Sequence, residues 1–117
     1  MHKNRGAVWW INLDPTVGSE IKKKRPCVIV SHSSINAARH TVVVVPLSSS
    51  PKAYPPIAIK IKCKNKDVIA VCDQIRAVDK SRLVDYIEDI SANDMQKIED
   101  SIKKVLVLCL SNYYLQE

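Results

Sequence analysis

Lys22, Lys23, Lys24 and Arg25 stand in a row directly before Pro26, and by type and spacing they are the residues best placed to meet an anion. Pro26 disfavours the α region for its predecessor, so Arg25 is pushed toward extended backbone. A guanidinium in fixed geometry offers a planar pair of donors to two oxygens, whereas the three lysines supply attraction without direction. Just upstream lie Gly18, Ser19 and Glu20. Gly6 and Gly18 are the chain's two glycines, so this stretch and its edge hold all the glycine available for a backbone excursion. Two further polar groups interrupt apolar sequence: the hydroxyls Ser48, Ser49 and Ser50 after Pro46-Leu47, and the pair Asp73-Gln74 inside DVIAVCDQIRAV. A triple serine also serves as an ordinary solvated turn. An acid and an amide in an apolar strand need partners if buried, so Asp73-Gln74 reads equally as a network satisfying Arg76 or turn backbone.

The elements that must hold these groups are short. Val8–Leu13, rich in aromatic and β-branched residues, predicts a strand stopped by Asp14-Pro15. Cys27–Val30 is its partner across the cationic loop. Alternation points Trp9, Ile11 and Leu13 inward and leaves Trp10 beside Val8 and Asn12 on the other face, as a packed or subunit-interface residue rather than a base-stacking platform. Ser31–His40 is polar, with one helical turn at Ser34–Ala38. His32 and His40 have no sequence neighbour to orient them and are not taken as chemical groups. Thr41–Leu47 is a third strand that Pro46 ends or places at an edge. Ile57–Lys62 alternates with period two, turning Ile57, Ile59 and Ile61 inward and Lys60 and Lys62 to water, where they discourage edge pairing. Asp67–Val78 reads as one longer strand interrupted at Asp73-Gln74, and Leu83–Asp89 as the last. Met95, Ile98, Ile102, Val105, Leu106 and Cys109 then recur at helical spacing behind a capping-box-like Ser91 and Asp94, predicting a helix of about eighteen residues. Six short strands without βαβ spacing and one late helix make residues 1–117 a single, mainly β domain: a small antiparallel barrel closed by a C-terminal α-helix.

With 117 residues and 46% hydrophobic content, one core is sufficient without metal or disulfide. Cys27, Cys63, Cys72 and Cys109 form no C-x-x-C pair and are expected as reduced thiols, mostly buried. The apolar runs are too short to span a bilayer and MHKNRG lacks a signal-peptide core, so a cytoplasmic, membrane-free protein is expected. The net charge of +6 is unevenly placed: residues 1–66 carry 12 Lys/Arg against Asp14 and Glu20, whereas residues 67–117 carry 6 against 10 acids. A basic half of this kind suggests nucleic acid or an acidic protein as partner.

RGAVWWINLDPTVGSEIKKKRPCVIVS, followed by VVVVPLSSS and CDQIRAVDKSRL in the same order and spacing, closely resembles the MazF/PemK family of toxin endoribonucleases over residues 5 to about 110. The most specific pieces are LDPTVGSE, the Arg-Pro after the basic loop, PLSS and DQIRAVDKSRL. The resemblance implies an SH3-like barrel of the MazF/PemK/CcdB kind, a homodimer, and a cognate acidic antitoxin as partner. It also implies sequence-selective cleavage of single-stranded RNA to 2′,3′-cyclic phosphate and 5′-hydroxyl ends, with no metal or other cofactor. It places the catalytic arginine at Arg25, the hydroxyl at Ser48 and an acid at Asp73. RNA-binding positions fall on Ser19, Glu20, Lys22, Lys23, Lys24, Ser49, Gln74 and Arg76. Ala7 stands where the family usually has an acid, and Ser19 and Val71 stand where one branch has histidine and arginine. The chain thus matches the arginine-plus-hydroxyl version better, leaving Asp73 and Glu20 as alternatives for the base that accepts the 2′-proton. Two other readings share the composition: a non-catalytic toxin of this fold acting on a protein such as gyrase, and a plain RNA-binding barrel.

Overall fold

The computed structural model describes residues 3–21, 23–49 and 52–108. Seven strands, all paired antiparallel, run β1 (Ala7–Asn12), β2 (Lys24–Ile29), β3 (Thr41–Ser48), β4 (Ala58–Cys63), β5 (Lys66–Val71), β6 (Arg76–Asp79) and β7 (Leu83–Asp89). A short helix α1 (Ser33–Ala38) links β2 to β3, and α2 (Ala92–Val105) follows β7. The ladder β7-β1-β2-β3-β6 curls on itself, because β6 passes through a single 3-10 turn, Lys80–Arg82, directly into β7. β4 and β5 form a hairpin that joins the far end of β3 at Leu47↔Ala70 and Ser48↔Ile69.

The sheet consequently has a core on each face. Ile11, Leu13, Cys27, Ile29, Val42, Val44 and Val78 fill the inside of the curl, with Trp9, Leu83 and Tyr86 packed around them. Val8, Val28, Val45 and Leu47, from the opposite face of the same strands, meet Ile61 and Ala70 of the hairpin and Met95 and Ile98 of α2. The strands beneath the cationic loop are therefore clamped from both sides, which gives a mobile type of segment a rigid base.

The expected mainly β fold with a C-terminal helix is what the chain adopts, with local differences. Pro46 neither ends β3 nor puts it at an edge: the strand runs on to Ser48 with β2 on one side and β5 and β6 on the other. β2 starts at Lys24, so Lys24 and Arg25 belong to the strand and not to the loop. Asp67–Val78 is not one strand. It breaks at the 3-10 turn Cys72–Gln74, and its halves pair with different parts of β3: β5 with Leu47 and Ser48, β6 with Thr41 to Val44. The polar pair sits at that break. Ile57 lies outside β4 and is exposed, while Ile59 and Ile61 pack inward as expected, because Ile57 closes a turn in which its amide donates to Tyr54 O at 2.7 Å. The helix has fourteen residues, and Leu106 beyond it is exposed; Cys109 lies outside the described residues.

Ser91 caps α2 as its sequence suggests, accepting the Asp94 amide at 3.0 Å. Asp94 does not return the favour to the cap. Its buried carboxylate accepts the Lys62 amide at 3.0 Å and so ties the helix to β4, the strand at the end of the sheet. Asp94→Ala is expected to lower stability by about 2 kcal/mol, the usual scale for a charged acceptor of a backbone amide, and urea unfolding with an unchanged m-value would show it.

Candidate active site

Arg25 lies in β2 and Ser48 ends β3. Their ladder reads Ile29↔Val44, Val28↔Val45 and Cys27↔Pro46, and the same register carried two residues further sets Arg25 opposite Ser48. The two line a cleft of about 300 Å³ together with Trp10, Pro26 and Ser49. The far wall comes from the β4–β5 turn, where Lys64 and Lys66 face in. Arg25 is exposed and Ser48 half-buried, so both can meet a ligand. Trp10 is 38% exposed and pairs with Pro26, so it faces this cleft rather than packing into either core; the interface role expected for it would have to use the same surface.

A second cleft, of about 380 Å³, collects Ser19, Glu20, Asp73, Gln74 and Arg76 over an apolar floor that includes Leu13 and Ile21. It adjoins the first along β3, since Pro46 lines one and Leu47 the other. Gln74 accepts the Ile21 amide at 2.8 Å, so the loop after β1 is pinned to the 3-10 turn across 53 residues of sequence. That is the turn-backbone role foreseen as one of two uses for this pair. Arg76 lies 3.4 Å from Leu13 O, a long contact on the same loop. Glu20 closes the loop's own turn: its Oε1 accepts the Val17 amide at 2.6 Å. Asp73 is exposed, and among the described residues its carboxylate makes no hydrogen bond or ion pair.

Lys23 in the loop and Lys24 at the start of β2 are exposed, and Lys22 lies outside the described residues. Lys23 has a left-handed backbone, φ 66, held by two hydrogen bonds: its amide donates to Asp14 Oδ1 at 3.0 Å and its carbonyl accepts the Leu13 amide at 2.9 Å. Arg82 secures the loop from below, its Nη1 donating to Asn12 O and Asp14 O.

The three described cysteines, Cys27, Cys63 and Cys72, are poor candidates for the chemistry. Burial pushes the Cys27 thiol up to about 12 and Cys63 to about 11, and it raises Cys72 as well. At neutral pH all three are protonated and poor nucleophiles. A thiol-specific alkylating reagent should therefore label native protein at these positions far more slowly than urea-unfolded protein, as mass spectrometry can read.

His32 does find a partner, as the N-cap of α1, its Nδ1 accepting the Ser34 amide at 3.1 Å. Three of the first cleft's walls, Trp10, Lys64 and Lys66, were not picked out as site residues by sequence. The only signal for the lysines was charge beside a tight turn.

Comparison with other proteins gives this curled antiparallel sheet and its C-terminal helix a family. Residues 4–106 match the family described as PemK-like, MazF-like toxin of type II toxin-antitoxin system. The chain belongs to that family. It is similar to endoribonuclease MazF9 of Mycobacterium tuberculosis, at 32% identity over 85% of this chain and 92% of that one. Endoribonuclease EndoA of Bacillus subtilis is 30% identical over 89% of this chain and 94% of its own. In fold it resembles MazF of Deinococcus radiodurans, with TM-score 0.80 and 21% identity over 89% of this chain and 96% of the other. A mycobacterial endoribonuclease solved in complex with its cognate antitoxin superposes with TM-score 0.76 at 23% identity, covering 91% and 96%.

Proposed function

We propose that this chain is the toxin of a type II toxin–antitoxin system and cleaves single-stranded RNA by internal transesterification. The single observation that carries the chemistry is that Arg25 of β2 and Ser48 of the neighbouring β3 line one open cleft. In this reaction the ribose 2′-oxygen attacks phosphorus, the bond from phosphorus to the 5′-oxygen breaks, and the products are a 2′,3′-cyclic phosphate and a 5′-hydroxyl. The nucleophile belongs to the substrate, so the protein acts by alignment and charge stabilisation. Arg25 holds two oxygens of the phosphorane and Ser48 donates to a nonbridging oxygen. Asp73, unengaged by the fold, accepts the 2′-proton from the adjoining cleft; Glu20 is less suited because one of its oxygens is already taken by Val17. A solvent water protonates the leaving 5′-oxygen, and the proton taken up by Asp73 passes back to solvent, while Arg25 stays charged throughout. Lys22, Lys23, Lys24, Ser19, Ser49, Gln74 and Arg76 are the proposed RNA contacts.

The activity needs neither metal nor organic cofactor in this scheme. Specific cleavage of a long single-stranded RNA in the presence of chelator, with cyclic phosphate ends, is the expected result; intact RNA under those conditions would overturn the reading.

The proposed setting is the cytoplasm; among the described residues no helix is long and apolar enough to cross a membrane. An acidic, extended antitoxin segment is proposed to cover the Lys22–Arg25 loop and so compete with RNA. Antitoxin should raise the apparent Kd for RNA linearly with its free concentration, by the factor one plus that concentration over its own Kd, and an RNA affinity unchanged at saturating antitoxin would overturn the shared surface. We also propose a symmetric homodimer, which the exposed Val84, Leu106, Val107 and Leu108 favour. Sedimentation should show twice the chain mass at micromolar concentration.

A further inference from the structure

The wall opposite Arg25 and Ser48 belongs to the β4–β5 turn, and its construction is specific. Cys63 pairs with Lys66, so Lys64 and Asn65 alone make the turn, both with left-handed backbone at φ 51 and 61. Such a two-residue connection is the tightest that joins two antiparallel strands, and it fixes where its flanking side chains go. The turn is also anchored. Glu88 of β7 accepts the Lys64 amide through Oε2 at 2.6 Å, drawing the hairpin over the end of the curled ladder. That contact adds to the pairing of the hairpin with β3 in placing Lys64 and Lys66 at the cleft.

One acid, Glu88, stands at the cleft's wall with its carboxylate on the Lys64 amide, and it forms no ion pair with the cleft's cations among the described residues. Arg5 is paired with Glu99, Lys62 with Asp67 and Lys97 with Asp94. Arg25, Lys64 and Lys66 make no ion pair among the described residues. Three unpaired cations around one cleft favour an anion. Trp10 shares the cleft and stays 38% exposed, giving an aromatic face beside those charges. Cation and aromatic face together are the two elements by which single-stranded nucleic acid is held without base reading: phosphate attraction and stacking.

We propose that Trp10, Lys64 and Lys66 form a separate nucleotide subsite, in which Trp10 stacks a base adjoining the scission point and the two lysines hold its phosphates. Glu88 acts as a positioning residue for the turn. The inference rests on the RNA-cleavage reading, so wild-type cleavage is measured first; its absence condemns that reading, whereas the variants below judge the subsite alone.

Affinity is measured on an RNA that the wild type cleaves, made uniformly 2′-O-methyl so that no reaction occurs, across a series of salt concentrations. Lys64→Ala/Lys66→Ala should reduce the slope of log K against log salt by about 1.4, two single-strand phosphate contacts at about 0.7 each. Lys60→Ala/Lys104→Ala removes the same charge from the separate groove between β4 and α2 and is the control. Trp10→Ala should weaken binding about tenfold, and Trp10→Phe should restore most of it. Glu88→Ala should weaken binding with Glu88→Gln restoring it, because glutamine keeps the acceptor for the Lys64 amide. Equal slopes for the two lysine pairs, or a Trp10→Phe as weak as Trp10→Ala, would overturn the proposal. Thermal melts confirm that each variant is folded.

Discussion

Arg25→Lys is expected to slow single-turnover cleavage about a hundredfold while RNA affinity and its salt dependence stay close to wild type. One positive charge is kept, so the phosphate attraction that sets the salt slope is kept with it. What disappears is the planar pair of donors aimed at the phosphorane, and losing one preorganised donor of this kind costs about 3 kcal/mol in the transition state. The strand supports a clean test, because Arg25 is exposed on a β2 whose next residues, Cys27, Val28 and Ile29, are fully buried and hold the backbone in place. Ser48→Ala removes one neutral hydrogen bond and should lose about tenfold, for about 1 kcal/mol. Lys24→Ala, by contrast, should act on the slope, lowering it by about 0.7. Rates taken at saturating enzyme, with affinity measured on an unreactive analogue, separate these effects. A wild-type rate from Arg25→Lys would remove it from the catalytic centre and turn attention to Asp73.

Alkaline pH should destabilise this protein, with Cys27 the largest contributor among its described thiols and Cys63 and Cys72 adding to it. The unfolded Cys27 thiol titrates near 9 and the folded one near 12, because the folded site is desolvated; the Arg76 charge opposes that effect only in part. A group whose pKa is raised on folding leaves stability untouched below its unfolded value. Above it, the unfolded chain releases a proton that the folded chain retains, so stability falls as pH climbs from 9 toward 12. Over that window the loss approaches about 4 kcal/mol at 1.36 kcal/mol per unit. Denaturant midpoints followed from pH 8 to 11 should drop, and in Cys27→Ala this component of the slope should vanish even though the variant starts less stable. An identical slope in both proteins would sink the assignment.

Much of this arrangement is legible in the residues. Strand β1, the cationic loop and β2 follow from β-branched and aromatic runs bounded by Asp14-Pro15 and Pro26, and α2 follows from the spacing of Met95, Ile98, Ile102 and Val105. Arg25 and Ser48 were both marked by their place next to a proline or after Pro46-Leu47, and the register brings them face to face. The break at Cys72–Gln74 was less legible, since the residues on either side have the same strong strand propensity. Only the change of pairing partner along β3 decides where one strand must end and the next begin. Alternation puts Trp10 on the face of Val8, but its exposure was not legible, because Val8, Val28 and Val45 on that face are buried against the hairpin and α2 and a residue two places along from a buried one had no reason to look exposed. Its neighbours in the cleft, Lys64 and Lys66, are more than fifty positions away and arrive through the pairing of the β4–β5 hairpin with β3 and the Glu88 contact. Non-local convergence of that kind leaves no trace in a linear pattern.

The pairing of Cys27 with Pro46 also dictates how this chain can change its length. Side chains on a strand swap faces with every residue, so a single insertion or deletion inside 26–28 or 45–47 would turn Arg25 or Ser48 away from its counterpart and invert both cores at once. Substitution at those positions is a matter of volume; a change in length is a matter of parity, and no repacking can correct it. The connection between β3 and β4 lies outside that ladder, where extra residues add only the slowly growing entropy of a longer loop. Length variation among relatives should therefore collect after Ser48 and be absent between Arg25 and Ile29, a pattern set by the geometry of a pleated strand.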